Sequence, residues 1–310
     1  MRKGFAFPLI TRNIPEATPR IQGGGASKNL LNVIGKPKAY RRVLRQSRRL
    51  PVLASLQILL CFSFSAQAQQ PFTVDDADVT EHKKFQLQIS HEFDLLPRSA
   101  HPSLRQNTTV FVLNYGLIKD VEVGVDYPLI VISNAAGTTP ETIQGFGDLN
   151  FHVKYNFLKE REGKRRPALT VSFAMEVPTG DTTKGLGSGL LDYSLNGVLQ
   201  KSLTKKTTLR LNSGIIFAGN TSTGLVGIRT RGRVFTAGGS LVRQFTPKLN
   251  LGIELIGAAT GNLNLGGGQL QTQFGGNYQL TEKMSLDFGV LAGKFNNPRA
   301  GARIGLSIDF

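Results

Sequence analysis

From residue 84 onward, apolar and polar positions alternate with a period of two. The segment 147–158, GDLNFHVKYNFL, is the clearest case. Leu149, Phe151, Val153, Tyr155 and Phe157 fall on one face, and Asp148, Asn150, His152, Lys154 and Asn156 on the other. Successive side chains of a strand point to opposite faces, so this strand has one oily and one strongly polar side. A helix would mix the two sets around its circumference. The pattern recurs and predicts twelve strands, at 84–94, 108–118, 121–131, 147–158, 168–177, 192–202, 207–218, 232–245, 249–258, 269–280, 284–293 and 300–310. Each is near the roughly 9–11 residues that a tilted membrane-spanning strand needs.

The connections alternate as well. Short ones fall at 119–120, 204–206, 246–248 and 281–283, with a longer charged turn at 159–166. Long ones fall at 95–105, 132–145, 178–191, 219–231 and 260–268. Short turns on one side and longer loops on the other is the layout of an outer-membrane barrel, and it puts both termini on the periplasmic side. The expected fold is all-β: a 12-stranded antiparallel transmembrane β-barrel of the bacterial outer membrane. A soluble sandwich also alternates, but with shorter strands and a polar outer face on both sheets. In hydrocarbon no water satisfies a backbone N–H or C=O, so strands must close into a ring without edges. Aromatic girdles are expected at both interfaces. Tyr115, Tyr155, Phe157, Phe245 and Tyr278 fall toward the short-turn end, and Tyr127, Phe146, Phe217, Phe235 and Phe295 toward the other.

Composition first points elsewhere, because 37 Lys and Arg against 21 Asp and Glu give a net charge of +16. Most of that excess sits early. Residues 1–68 hold twelve basic side chains against Glu16 alone, which leaves 25 basic and 20 acidic groups for the rest. This piece reads as an export leader. Residues 41–49 supply a positive region, 50–64 an apolar one, and Ala66-Gln67-Ala68 a small-residue cleavage site. The chain therefore divides into a basic extension at 1–40, a secretory signal peptide at 41–68, a polar periplasmic lead-in at 69–83, and the barrel at 84–310. The single Cys, Cys61, leaves with the signal, which suits a chain crossing an oxidising periplasm. Nucleic-acid binding loses its support once the leader is removed.

Two stretches carry a resemblance. The last strand, 300–310, alternates and closes on Phe310. It resembles the C-terminal signal of bacterial outer-membrane proteins, which implies the barrel-assembly machinery as a partner during biogenesis. The segment Gly145-Phe146-Gly147-Asp148-Leu149, continuing to Lys154-Tyr155, resembles the "GFGDL…KY" strand of the family named for the meta-pathway of phenol degradation. Val177-Pro178-Thr179-Gly180-Asp181 resembles that family's "PTGD" motif. Gly187, Gly189 and Asp192 resemble the glycine-rich stretch that follows it. The likeness implies an outer-membrane channel or transporter and does not fix a substrate.

The inward phase supplies the candidate lumen-lining residues: Asp126, Asp148, His152, Lys154, Glu176, Asp192, Asn196, Arg210, Glu254, Gln273, Asp287 and Arg303. Either they line a water-filled path and set solute preference, or they pair with one another and fill a narrow barrel. Asp148, Glu176, Asp181 and Asp192 fall near the outer mouth, where an acidic field favours cations or neutral solutes. The run Asp75-Asp76-Ala77-Asp78 lacks the spaced ligands of a calcium loop and reads as a solvated lead-in. The glycines at 185–189 suit a flexible outer loop. His91 lies on the oily phase with no Ser or Asn next to it on that face in sequence, so no catalytic residue, cofactor or metal is expected and the protein is read as a non-enzyme. The leading function is passive diffusion of small solutes, aromatic or hydrophobic ones included, through the lumen of a barrel set in outer-membrane lipids. The alternative is a non-conducting structural or surface-binding barrel, and a barrel enzyme is a distant third. The basic extension reads as the product of a start placed too far upstream. Sequencing the N-terminus of the precursor tests this, and a precursor beginning at Met1 overturns it.

Overall fold

The structure is a computed structural model that describes residues 71–97, 105–133, 142–161, 165–220, 230–261, 268–295 and 297–310. The basic extension, the signal peptide and the cleavage residues Ala66 and Ala68 lie outside the described residues. The strands are β1 (Phe85–Leu95), β2 (Arg105–Ile118), β3 (Val121–Ser133), β4 (Thr142–Phe146), β5 (Leu149–Leu158), β6 (Ala168–Val177), β7 (Asp192–Thr204), β8 (Thr207–Asn220), β9 (Thr230–Thr246), β10 (Leu249–Thr260), β11 (Gln269–Thr281), β12 (Met284–Phe295) and β13 (Ala300–Asp309). A short 3₁₀ turn, Thr182–Lys184, lies between β6 and β7.

All strand pairings are antiparallel. The first strand pairs with the last, from Gln86↔Asp309 to Leu95↔Ala300, and β2 pairs with β3, so the sheet closes on itself. Both β4 and β5 pair with β3, one after the other along its length. They share one position in the ring, which makes this a twelve-position barrel, as the alternation predicts.

The extra strand β4 is a departure from the expected loop at 132–145. Its cause is a break at Gly147-Asp148. There Gly147 N–H donates to Pro128 O at 2.8 Å, while the Asp148 carboxylate turns inward to accept from Gly180 N–H at 2.9 Å and Ser188 N–H at 2.7 Å. The strand expected from 147 therefore starts at Leu149, and its outer part resumes as β4. Several other strands run a few residues further into the long loops than the alternation reaches, as β2 and β12 do.

The wall is turned inside out relative to a water-soluble protein. Phe151, Val153, Tyr155 and Phe157 stand exposed on the outer surface, whereas Lys154, Gln88, Gln273, Glu122 and Glu254 are among the largest fully buried side chains. This is the arrangement expected where lipid wets the outside. The aromatic rows take their expected ends. Phe85 meets Tyr115 with ring centroids 4.5 Å apart near the short turns, and Tyr127 stacks on Phe146 at 4.5 Å near the long loops. No helix among the described residues is long and apolar enough to cross a membrane; the crossing elements are strands.

The short turns are tied by charge. Asp120, in the β2–β3 turn, pairs with Lys159 beyond β5. Glu160 reaches β7, where its carboxylate accepts from Lys201 Nζ and from the Ser202 N–H and Oγ. Burial raises the Glu160 pKa, but the hydrogen bonds from Lys201 and Ser202 outweigh it and hold the carboxyl below its ordinary value of 4.5. A group depressed in this way stabilises the fold above its unfolded pKa and loses that contribution as pH falls through the folded value. Glu160→Gln is therefore expected to lower the gel-shift unfolding temperature at neutral pH, with the difference from wild type shrinking as the pH falls through the carboxyl's lowered folded pKa.

Candidate functional site

The lumen is not empty. Residues 71–82, expected as a solvated lead-in, run inside the barrel along its inner wall, with Phe72 and Ala77 fully buried and Val74, Asp75 and Asp76 nearly so. Among the described residues the segment pairs with a strand only at a single bridge, His82 with Gly116, so wall side chains must satisfy most of its backbone. Glu254 on β10 accepts from Thr73 N–H at 3.0 Å and Val74 N–H at 2.6 Å. Gln273 on β11 donates to Pro71 O at 2.5 Å. Asn156 on β5 and Thr170 on β6 donate to Ala77 O at 2.5 and 2.7 Å, and Gln200 on β7 accepts from Ala77 N–H at 3.2 Å. Glu122 on β3 accepts from the Thr80 N–H at 2.7 Å and hydroxyl at 2.5 Å.

Charge fixes the same segment. Lys154, buried on the inner face of β5, donates to Asp75 at 2.9 Å and Asp76 at 3.1 Å. Arg210 on β8 lies 4.0 Å from Asp76. Burying a lone ammonium is costly, so the inward lysine of β5 and the acidic pair belong to one arrangement. Where the segment meets β1, Lys83 N–H donates to Gly116 O at 2.7 Å. Gly116 allows this approach, since a Cβ there would lie only 1.9 Å from Glu81 O.

Beyond the segment, toward the long loops, the inner wall changes character. Ile216, Ala218 and Val234 form one buried apolar cluster with Ala258 packed against it. Ile130, Ile132 and Leu186 form another with Ile143. A cavity of about 120 Å³ lies in this half, with Val74 and Thr73 of the inserted segment in its lining. It has room for a small solute or a few waters, not for a polymer.

The predicted lumen-lining residues lie on the inner wall but divide into groups. Lys154, Arg210, Glu254 and Gln273 hold the inserted segment. His152 Nε2 meets Asn114 Oδ1 at 3.0 Å, and its other ring nitrogen is 3.5 Å from Asp126, which accepts from Asn150 at 3.1 Å. Asp287 accepts from Ser307 at 2.7 Å, and Arg303 donates to Thr73 Oγ1 at 3.1 Å. Asn196 is buried on β7. Glu176 shares a hydrogen bond with Asp148 and faces Asp192 across the β6–β7 ladder, so three of the four acids expected at the outer mouth do gather there. Asp181 stands apart and caps the 3₁₀ turn. The glycine-rich stretch after it is packed rather than loose: Leu186 and Leu190 are buried, and the Ser188 amide binds Asp148. On the outer wall, His91 Nδ1 lies 2.8 Å from Thr109 Oγ1, a neighbour on β2 that linear spacing conceals. At the C-terminus, Phe310 is exposed and its N–H donates to Phe85 O at 2.9 Å.

Two functional features escape the alternation. The apolar inner wall had a signal. In VDYPLIVI at 125–132, and again in GIIFA at 214–218, both phases are apolar, which the outer face alone does not require. The inserted segment had a weaker one: acids before the first strand match the surplus inward bases Lys154 and Arg210.

The model of the family described as "MetA-pathway of phenol degradation" matches residues 93–310. No curated relative matches the chain. Among solved structures, an outer membrane channel from Pseudomonas putida F1 is similar at 16% identity and TM-score 0.54, over 76% of this chain and 100% of that one. The NanC porin is similar at 10% identity and TM-score 0.49, over 72% of this chain and 98% of that one. The KdgM porin follows at 10% identity and TM-score 0.47, over 73% and 99%. At these identities the likeness concerns the barrel fold.

Glu254→Ala removes two charge-assisted bonds to the segment, each worth about 1.5–3 kcal/mol. In a Val74→Cys background, where the barrel has no other Cys, maleimide labelling of residue 74 is expected to rise about tenfold or more on adding Glu254→Ala.

Proposed function

Since the chain belongs to the family of the MetA-pathway of phenol degradation, matched over residues 93–310, we propose that it is an outer-membrane channel for small solutes, aromatic and other apolar ones included. The observation that carries this is the two-part lumen, a cavity with apolar flanks toward the long loops over a polar half occupied by residues 71–82. A barrel that only anchored in lipid would need no apolar surface on the inside. Passage is passive: the inner wall offers binding and a narrow path, and the protein is a conduit, not an enzyme. Outer-membrane lipids cover the exposed apolar outer wall, and both termini face the periplasm, where the short turns lie. Phe310 closes the strand read by the assembly machinery.

Asp148 and Asp192, with the Glu176 carboxyl hydrogen-bonded to Asp148, give the long-loop mouth a negative field, which favours cations and neutral solutes. The inserted segment limits the rate, because its bonds to Glu254, Glu122 and Lys154 close the polar half of the path. The same segment supports the second reading, a structural barrel that never opens.

Planar-bilayer recording and liposome swelling separate the two. Wild type is expected to show small, cation-preferring conductance, and Glu254→Ala a larger one. Correctly folded protein, judged by heat-modifiable gel migration, that leaves the bilayer sealed in both forms would establish the structural reading. Clear anion selectivity would overturn the acidic mouth.

A further inference from the structure

The cavity in the long-loop half of the lumen has two chemically different parts. Val110, Val112, Pro128 and Ile130 of β2 and β3, with Ile256 and Ala258 of β10, supply apolar flanks. Between them β1, β13 and β11 present a polar arc that includes Ser90, Glu92, Asp94, Gln271 and Arg303. Asp126 also reaches the lining. Among the described residues, three carboxylates thus share the cavity with one guanidinium. That guanidinium is engaged within the wall: Arg303 Nε is 3.9 Å from Glu92 Oε1, and its NH1 donates to Thr73 Oγ1 at 3.1 Å. The arc is therefore rich in acceptors and negative in balance.

We propose that this cavity binds solutes made of an apolar body and a hydrogen-bond-donating head, an alcohol, phenol or amine, and rejects the matching carboxylates. The inference rests on the channel reading for how such a solute arrives, but not for whether it binds. The body loses water against the apolar flanks. The head donates to the acceptors of the arc. A carboxylate of the same shape would be stripped of water beside like charges, with the guanidinium of the described lining already paired. Selectivity then comes from repulsion as much as from attraction. The same wall orients the solute, with its head toward β1 and β13 and its body toward β2, β3 and β10.

The test uses cinnamyl alcohol and cinnamate, which share one body, titrated calorimetrically at neutral pH into the barrel in nanodiscs, with empty nanodiscs subtracted. The alcohol is expected to bind about tenfold tighter or better than the carboxylate. The double variant Glu92→Gln, Asp94→Asn is expected to shrink the ratio to about twofold, and Arg303→Gln to widen it. Heat-modifiable migration confirms folding, and the single variant Asp94→Asn replaces the double one if the latter does not fold. Cinnamate binding as tightly as the alcohol, no binding of either, or a ratio that the variants leave unchanged overturns the proposal. Conductance of the same preparations keeps the two readings apart. Protein that conducts without discriminating refutes the site alone, and protein that discriminates without conducting refutes the channel.

Discussion

Every structural feature of this protein follows from one constraint: a backbone amide facing hydrocarbon must find its partner within the chain. For strands the only solution is a closed ring, and the β1–β13 ladder supplies the closure. A ring of this size encloses a space, and the period-two pleat then sends every second side chain into it. The outside must be apolar because lipid touches it. The inside is free to be polar, but each polar group there needs a partner as much as the backbone does.

The inserted segment answers that second requirement. Twelve strands enclose more room than eight, whose side chains alone fill the interior. Here the surplus is taken by residues 71–82, whose backbone groups and acids match the acceptors, donors and bases of the wall. Glu254 and Glu122 are fully buried carboxylates that each accept from segment amides, and Lys154 is a fully buried base facing two acids. Neither side is stable in that environment alone. Wall and segment are in this sense one polar core, built from two parts of the chain that lie far apart in sequence.

The barrel was largely legible from the sequence because the pleat converts directly into a pattern of period two. That pattern also sorts residues into inner and outer sets without knowledge of any contact, which is why Lys154, Glu254 and Gln273 could be placed on the inner wall beforehand. It cannot say what an inner residue meets. The destination of residues 71–82 was hidden because a polar, acidic stretch outside any strand looks solvated whether it lies in water or against a polar wall. The β4 strand was hidden because its five residues are set off by Gly147 and Asp148, which read as the edge of a loop. The apolar half of the lumen was visible in principle in residues 125–132, where consecutive apolar residues violate the alternation, but a period search scores such a run as noise. Contacts between distant loops, such as Asp148 with Gly180 and Ser188, become apparent only once the motifs that carry them are brought together in space.

The pairing of the first strand with the last sets the order of events in biogenesis. The ring is complete only when β13, the last of the described strands, is paired with β1. The segment that fills the lumen directly precedes β1, and so emerges before any wall strand exists. Threading it through a finished barrel would require stripping water from Asp75, Asp76 and the groups that receive them along a narrow path. Laying it against an open, curved sheet does not. The segment that directly precedes the first strand can thus act as a mandrel around which the later strands are wound.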